Sequence, residues 1–127
     1  MASPAISLPP EELVQYRQVA ARRLKARAGR IQLRANRAWE LARQAARLLR
    51  ERFHATRVVA FGSLVHEHRF HEWSDIDLAA WGIPPEETFR AIGAVMDLDS
   101  TFEVNLADVN TCQPSLLAVI EREGMDL

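Results

Sequence analysis

FGSLVHEHRFHEWSDIDLAAWG, residues 61–82, sets Asp75 and Asp77 one residue apart in an otherwise apolar run, with the pair Gly62–Ser63 ahead of them. Side chains alternate along a strand, so a strand through this run carries both aspartates on one face and Ile76 and Leu78 on the other. Alpha carbons two apart in a strand lie about 7 Å from each other. Two carboxylates held so close repel and resist burial, and the arrangement makes sense when a divalent cation sits between them. Hard Mg²⁺ prefers such oxygen donors. Gly62 and Ser63 supply the other half of a phosphate site: glycine permits close backbone approach, serine adds a hydroxyl, and a helix starting there aims amides at an anion. A nucleoside triphosphate would join the two halves, with a metal bridging its phosphates to the aspartates.

Elements read outward from this stretch. RVVAFG (57–62), SDIDLAAWG (74–82) and TFEVNLADV (101–109) are short, rich in β-branched residues or alternating, and bounded by turn residues, which predicts three strands. Pro84-Pro85-Glu86-Glu87 opens a helix with Phe89, Ile92, Gly93, Val95 and Met96 at helical spacing. PSLLAVIEREG (114–124) predicts a last helix. The order helix, strand, strand, helix, strand, helix predicts an α+β domain with a small mixed sheet packed with helices and preceded by a long N-terminal helix.

That long helix is predicted over residues 11–53, after a flexible stretch 1–10 and before a core at 54–127. Leu24, Ala28, Ile31, Ala35, Ala38, Ala42, Ala45 and Leu49 form a narrow, alanine-rich seam. Such a seam suits close packing against another helix, from this chain, from a second copy or from a different protein. Gly29 is a candidate break or kink. Arg23, Arg27, Arg30, Arg34 and Arg37 follow a neighbouring stripe, read first as a solvated face, with an acidic protein or nucleic acid as alternatives. No groove-reading motif accompanies it, so nucleic acid is the weaker expectation.

At 127 residues the chain suits one domain, and its composition (48% apolar, 26% charged) is that of a globular protein rather than a disordered one. The net charge of −1 conceals a division: residues 11–53 hold twelve basic side chains against four acidic, residues 54–127 four against thirteen. No apolar run approaches the roughly 20 residues of a membrane span, and the start lacks a secretory pattern, so the expected location is the cytoplasm and no membrane partner is implied. The single cysteine, Cys112, forms no internal disulfide and is read as structural. His66, His68 and His71 lack a carboxylate or cysteine at zinc-site spacing and read as loop residues. Trp73 and Trp81 flank the central strand and read as core rather than as base-stacking platforms.

Either motif alone is weak; a strand ending in Gly-Ser, then eleven residues, then an apolar-flanked D-x-D in a strand is a specific combination. It resembles the signature of the nucleotidyltransferase superfamily typified by DNA polymerase beta, in its smallest members, the minimal nucleotidyltransferases. The resemblance covers about residues 40–124, in VVAFGSL, SDIDLAAWG, FEVNLADVN and PSLLAVIEREG. It implies a polymerase beta-like fold. It also implies that Gly62 and Ser63 hold nucleotide phosphates and that Asp75 and Asp77 bind Mg²⁺; where relatives often carry an R-x-R-G-like segment after Gly-Ser this chain departs with LVHEHRFHEW, in which Arg69 is the candidate for a further phosphate contact. In the family a third carboxylate from a later strand, in a stretch like VDLVD, helps activate the attacking hydroxyl; here VNLAD puts Asn105 in that place. An amide ligates through its carbonyl but carries no charge and takes no proton. Glu103, two residues earlier on the same strand face, is the candidate substitute, while Asp108 stands at odd separation and faces away or lies beyond the strand.

The implied reaction is transfer of a nucleoside monophosphate, AMP from ATP, to a hydroxyl. With no separate domain to bind an acceptor, the acceptor is expected from a partner. The resemblance implies a HEPN-type helical toxin RNase, with this chain as the antitoxin that modifies it. The competing expectation is a catalytically degenerate nucleotidyltransferase-like module that works through protein contacts of the long helix.

Overall fold

The computed structural model describes residues 8–127; the predicted flexible stretch at 1–10 lies, but for its last three residues, outside the described residues. The element order is α1 (Pro10–Phe53), β1 (Arg57–Phe61), a single 3₁₀ turn (Gly62–Val65), β2 (Ile76–Trp81), a second 3₁₀ turn (Pro85–Glu87), α2 (Thr88–Met96), β3 (Val104–Asp108), α3 (Pro114–Glu123) and β4 (Met125–Asp126). The predicted α+β class holds. The strands form one mixed sheet in the order β3-β2-β1-β4, with β1 antiparallel to both β2 and β4, and β2 parallel to β3.

α1 starts with proline at its first position and Glu11 and Glu12 in its first turn, and ends with Arg50 and Arg52 in its last turn and His54 left-handed at φ 65°. Each of these features favours the helix at that end. The helix runs through Gly29 without interruption, so the candidate break there is not realised: a glycine costs about 1 kcal/mol relative to alanine, which a helix of 44 residues absorbs.

Alternation divides the sheet into two faces. Val58, Ala60, Ile76, Leu78, Ala80, Val104 and Leu106 form the main core with Ala38, Leu41, Ala42, Ala45, Ala46, Leu49 and Phe53 of α1 and Ala91 and Val95 of α2. The other face carries a small cluster of Val59, Ala79 and Ile120, the last from α3, rimmed by Phe61, Trp81, Ala107 and Val109. The alanines of α1 let the helix lie close on the sheet. From Ile31 onward the helix packs on the core; from Pro10 to Arg30 every residue is exposed except the half-buried Leu13 and Ala20. Leu24 and Ala28, read as part of the seam, therefore belong to a free segment about 30 Å long at 1.5 Å per residue.

Further expectations need correction. Trp73 is 83% exposed, not core, because it falls in the turn before β2 rather than in the strand; Trp81 is half-buried, with the Arg57 guanidinium 4.5 Å from its ring centroid. Phe89 is 88% exposed, since Ala91 and Val95 are the buried positions of α2, with Ile92 and Ala94 packed beside them on the core. The segment after Pro84 begins as a 3₁₀ turn before settling into α2. β4, too short to leave a pattern, was not expected; the Leu127 amide extends its pairing by donating to the Val58 carbonyl at 2.9 Å.

Candidate functional site

β1 ends at Phe61, which stands opposite Asp77 across the antiparallel pair. Gly62 then turns the chain at φ +75°, a conformation side-chain-bearing residues rarely adopt. A second reason for glycine is the neighbour: a Cβ at position 62 would lie 2.6 Å from Oδ2 of Asp77. Ser63 follows within a 3₁₀ turn rather than at the start of a longer helix, which limits its amides to a single turn.

Asp77 is the second residue of β2 and pairs in register with Asn105, the second residue of β3. Asn105 Nδ2 donates to Asp77 Oδ1 at 3.4 Å, a long bond. Burial pushes the Asp77 carboxyl above the usual carboxylate range; the Asn105 amide opposes this, and the negative charge of Asp75 adds to it. Asp75 sits one residue before β2 rather than inside it, yet it is close enough to act on Asp77. Both aspartates are partly accessible.

The residue between the turn and the aspartates is held firmly. Ser74 is 4% exposed; its Oγ accepts from the His71 amide at 2.9 Å, and its carbonyl accepts from Arg34 Nη2 at 3.2 Å. The same guanidinium lies 3.9 Å from the centre of the Phe102 ring, and its Nε is buried without a partner. The Ile76 amide donates to the Glu103 carbonyl at 2.9 Å. Arg34 thus touches the residues immediately before Asp75 and before Glu103, and holds together the starts of β2 and β3. Sequence reasoning placed Arg34 in a solvated stripe, and no local signal corrects that, because its contacts lie 40 and more residues away.

Of the residues singled out from sequence, Gly62, Ser63, Asp75, Asp77, Glu103 and Asn105 all fall at one end of the sheet, where β1 finishes and β2 and β3 begin. Glu103 is exposed just outside β3. Arg69 is exposed in the connecting loop and lies near Glu123 at the end of α3. The Glu123 carboxyl is held below its usual range chiefly by its 3.2 Å hydrogen bond with the His66 ring, with the charges of Arg122 and Arg69 adding to the effect. His71 Nδ1 accepts from the Trp73 amide. Asp108 ends β3 and caps the following turn through the Asn110 amide and the Thr111 hydroxyl. Cys112 is half-buried, with its thiol 3.9 Å from the Val109 carbonyl.

Among the described residues, no three or more His, Cys, Asp or Glu side chains converge as a metal-binding group. The donors at this end of the sheet are two carboxylates and an amide. They fit a hard divalent cation, because a positive ion offsets both the desolvation of Asp77 and its repulsion from Asp75.

No described helix is long and apolar enough to cross a membrane. No protein-family model matches the chain, and no curated protein matches it.

Proposed function

We propose that this chain is a Mg²⁺-dependent nucleotidyltransferase of the polymerase beta-like fold that transfers AMP from ATP to a hydroxyl of a partner protein, the hydroxyl oxygen bonding to the α-phosphorus as the bond to the β-phosphate breaks and pyrophosphate leaves. One observation carries the reading: the Gly62–Ser63 turn lies against Asp77, beside Asp75, so that a phosphate-approach turn and a cation-binding pair share one end of a mixed sheet. Asp75 and Asp77 would hold Mg²⁺, which when bound supplies charge neutralisation to the phosphates. Gly62 leaves the backbone open to close approach, and Ser63 offers a hydroxyl to the leaving phosphates. The Arg34 tie keeps Asp75 and Glu103 at fixed relative positions, which serves in-line geometry. Glu103, exposed beside the site, is the available proton acceptor for an incoming hydroxyl, a task Asn105 cannot perform. Within this reading the partner is a HEPN-type helical toxin and the chain its antitoxin in the cytoplasm.

The test is incubation with labelled ATP, Mg²⁺ and that toxin. Label passing to the toxin with the native chain, and not with Asp75→Ala, supports transfer; a toxin that binds and stays unlabelled refutes it.

A second reading has its own observation. Asn105 spends its amide on Asp77 where a third carboxylate would complete the site, and 21 residues of α1 stand free of the core. A nucleotidyltransferase-like module that no longer reacts and binds through α1 accounts for both. Partner binding that is unaffected by Asp75→Ala but lost on deletion of residues 10–30 is the result it requires.

A further inference from the structure

We infer that the free half of α1 is a self-association arm, pairing antiparallel with the same segment of a second copy of this chain. The inference stands on the helix alone and does not depend on the chemistry proposed for Asp75 and Asp77.

The seam of α1 consists of two series, each repeating every seven residues: Val14, Ala21, Ala28, Ala35, Ala42, Leu49 and Leu24, Ile31, Ala38, Ala45. Ala38, Ala42, Ala45 and Leu49 are fully buried against the sheet. The same two series then continue past the edge of the core, where no described residue buries them: Val14 is 53% exposed, Leu24 67%, and Ala21 and Ala28 are exposed. Packing on a sheet does not require a strict seven-residue period. A second helix does, because only a period near 3.5 residues per turn keeps one seam facing a partner over several turns.

Charge selects the occupant and its direction. The acids of the arm are Glu11 and Glu12, both in its first turn, and most of its bases, Arg22, Arg23, Lys25, Arg27 and Arg30, are in its second half. A parallel pair would set like charge beside like charge and align the two helix dipoles; an antiparallel pair sets each acidic start beside the other's basic end and opposes the dipoles. In the seven-residue frame, Glu11 and Lys25 hold the same flanking position, fourteen residues apart. Turning one arm end over end about Gln18 therefore brings Glu11 of each copy to Lys25 of the other, at the position where such charges set partner orientation. Arg22, Arg23 and Arg30 fall on the outer side, away from the seam, and Arg27 is engaged by Glu72 of its own chain at 2.9 Å. Arg17 alone interrupts the seam, near the middle of the arm, where its stem can lie over alanine with its guanidinium in water.

The experiment measures mass in solution by light scattering across a concentration series of the full chain at physiological salt. The expected result is twice the 14.4 kDa of one chain, and half that for Leu24→Glu with an unchanged circular dichroism spectrum. Glu11→Lys alone should weaken the dimer about ten-fold, and Glu11→Lys with Lys25→Glu should restore it. In a Cys112→Ser background, single cysteines at Gln18 or Ala20 should link to themselves through a short bismaleimide, and one at Ala28 should not. A monomer throughout the series, a dimer indifferent to Leu24→Glu, or self-linking at Ala28 overturns the inference.

Discussion

Gly62 and Asp77 approach so closely that a single added methyl group at 62 would sit 2.6 Å from the Asp77 carboxylate oxygen. The turn that would receive phosphate and the carboxylate that would hold the cation are therefore one packing unit. Gly62→Ala carries two penalties, the positive φ, worth about 1–3 kcal/mol, and displacement of the Asp77 side chain. The expected outcome is a lower Tm together with divalent-cation affinity reduced toward that of Asp77→Ala. Lower stability with cation affinity unchanged would mean that the contact with Asp77 has no bearing on the site.

Asp77 supplies a pH-dependent prediction. Its carboxyl is raised in the fold by burial first and by Asp75 as well, so the neutral form is favoured in the folded state. Below the ordinary carboxylate value, about 3.9, folded and unfolded chains are both protonated and Asp77 imposes no penalty. As pH rises from there through the folded value, the unfolded chain ionises more readily and stability is lost. Asp77→Asn should therefore raise Tm at pH 7 to 8 relative to the native chain, with the difference closing below about pH 4. Saturating Mg²⁺ should narrow the gap at neutral pH from the native side. Thermal melts across pH with and without Mg²⁺ check both statements.

Asn105→Asp tests the vacant charge. The substitution removes the amide that donates to Asp77 Oδ1 and places a third carboxylate beside an already raised one. Without metal the variant should be less stable at pH 7 than the native chain. With Mn²⁺ as a probe it should bind roughly ten-fold tighter or better, because hard cations respond to the count of charged donors. Calorimetric titration of both chains decides the matter; equal affinities would place residue 105 outside the cation's reach.

Arg34→Met should reveal a tie that global stability conceals. Losing the charged hydrogen bond to Ser74 costs about 1.5–3 kcal/mol, while removing a buried, unpartnered Nε returns about 1–3 kcal/mol. The two nearly cancel, so Tm should move little. Local order should move more: amide exchange should quicken at residues 74–77 and 103–105 together, because this one side chain reaches Ser74 at the head of the first segment and Phe102 just ahead of the second. Exchange that quickens in one segment only would show that Arg34 does not couple them.

Sequence carried the local part of this structure well. Proline, acids and alanine spacing marked α1 to within a residue of its observed start, and the alternation in IDLAAW and VNLAD marked β2 and β3. The placement of Gly62, Ser63, Asp75, Asp77, Glu103 and Asn105 at one sheet end follows from the pairing of β2 antiparallel with β1 and parallel with β3, which the element order predicts only as a mixed sheet. What stayed illegible depends on contacts distant in sequence. The role of Arg34 is set by Ser74 and Phe102, the exposure of Trp73 by a turn that begins the strand two residues later than expected, and β4 by a pairing of only two residues with β1. Alternation says which side chains share a face, not which helix comes to lie over it. Phe89 illustrates this: apolar and at helical spacing, it points away because α2 turns Ala91 and Val95 to the core.

The unbroken course of α1 through Gly29 gives the molecule the mechanics of a lever. One stretch of rod is clamped from Ile31 onward, the other stands clear of the core but for the Arg27–Glu72 ion pair, and the fulcrum falls within a turn of Arg34, whose guanidinium grips the peptide ahead of Asp75. A load applied to the free end is thus delivered, by rigid backbone rather than by any loop, to the threshold of the paired aspartates.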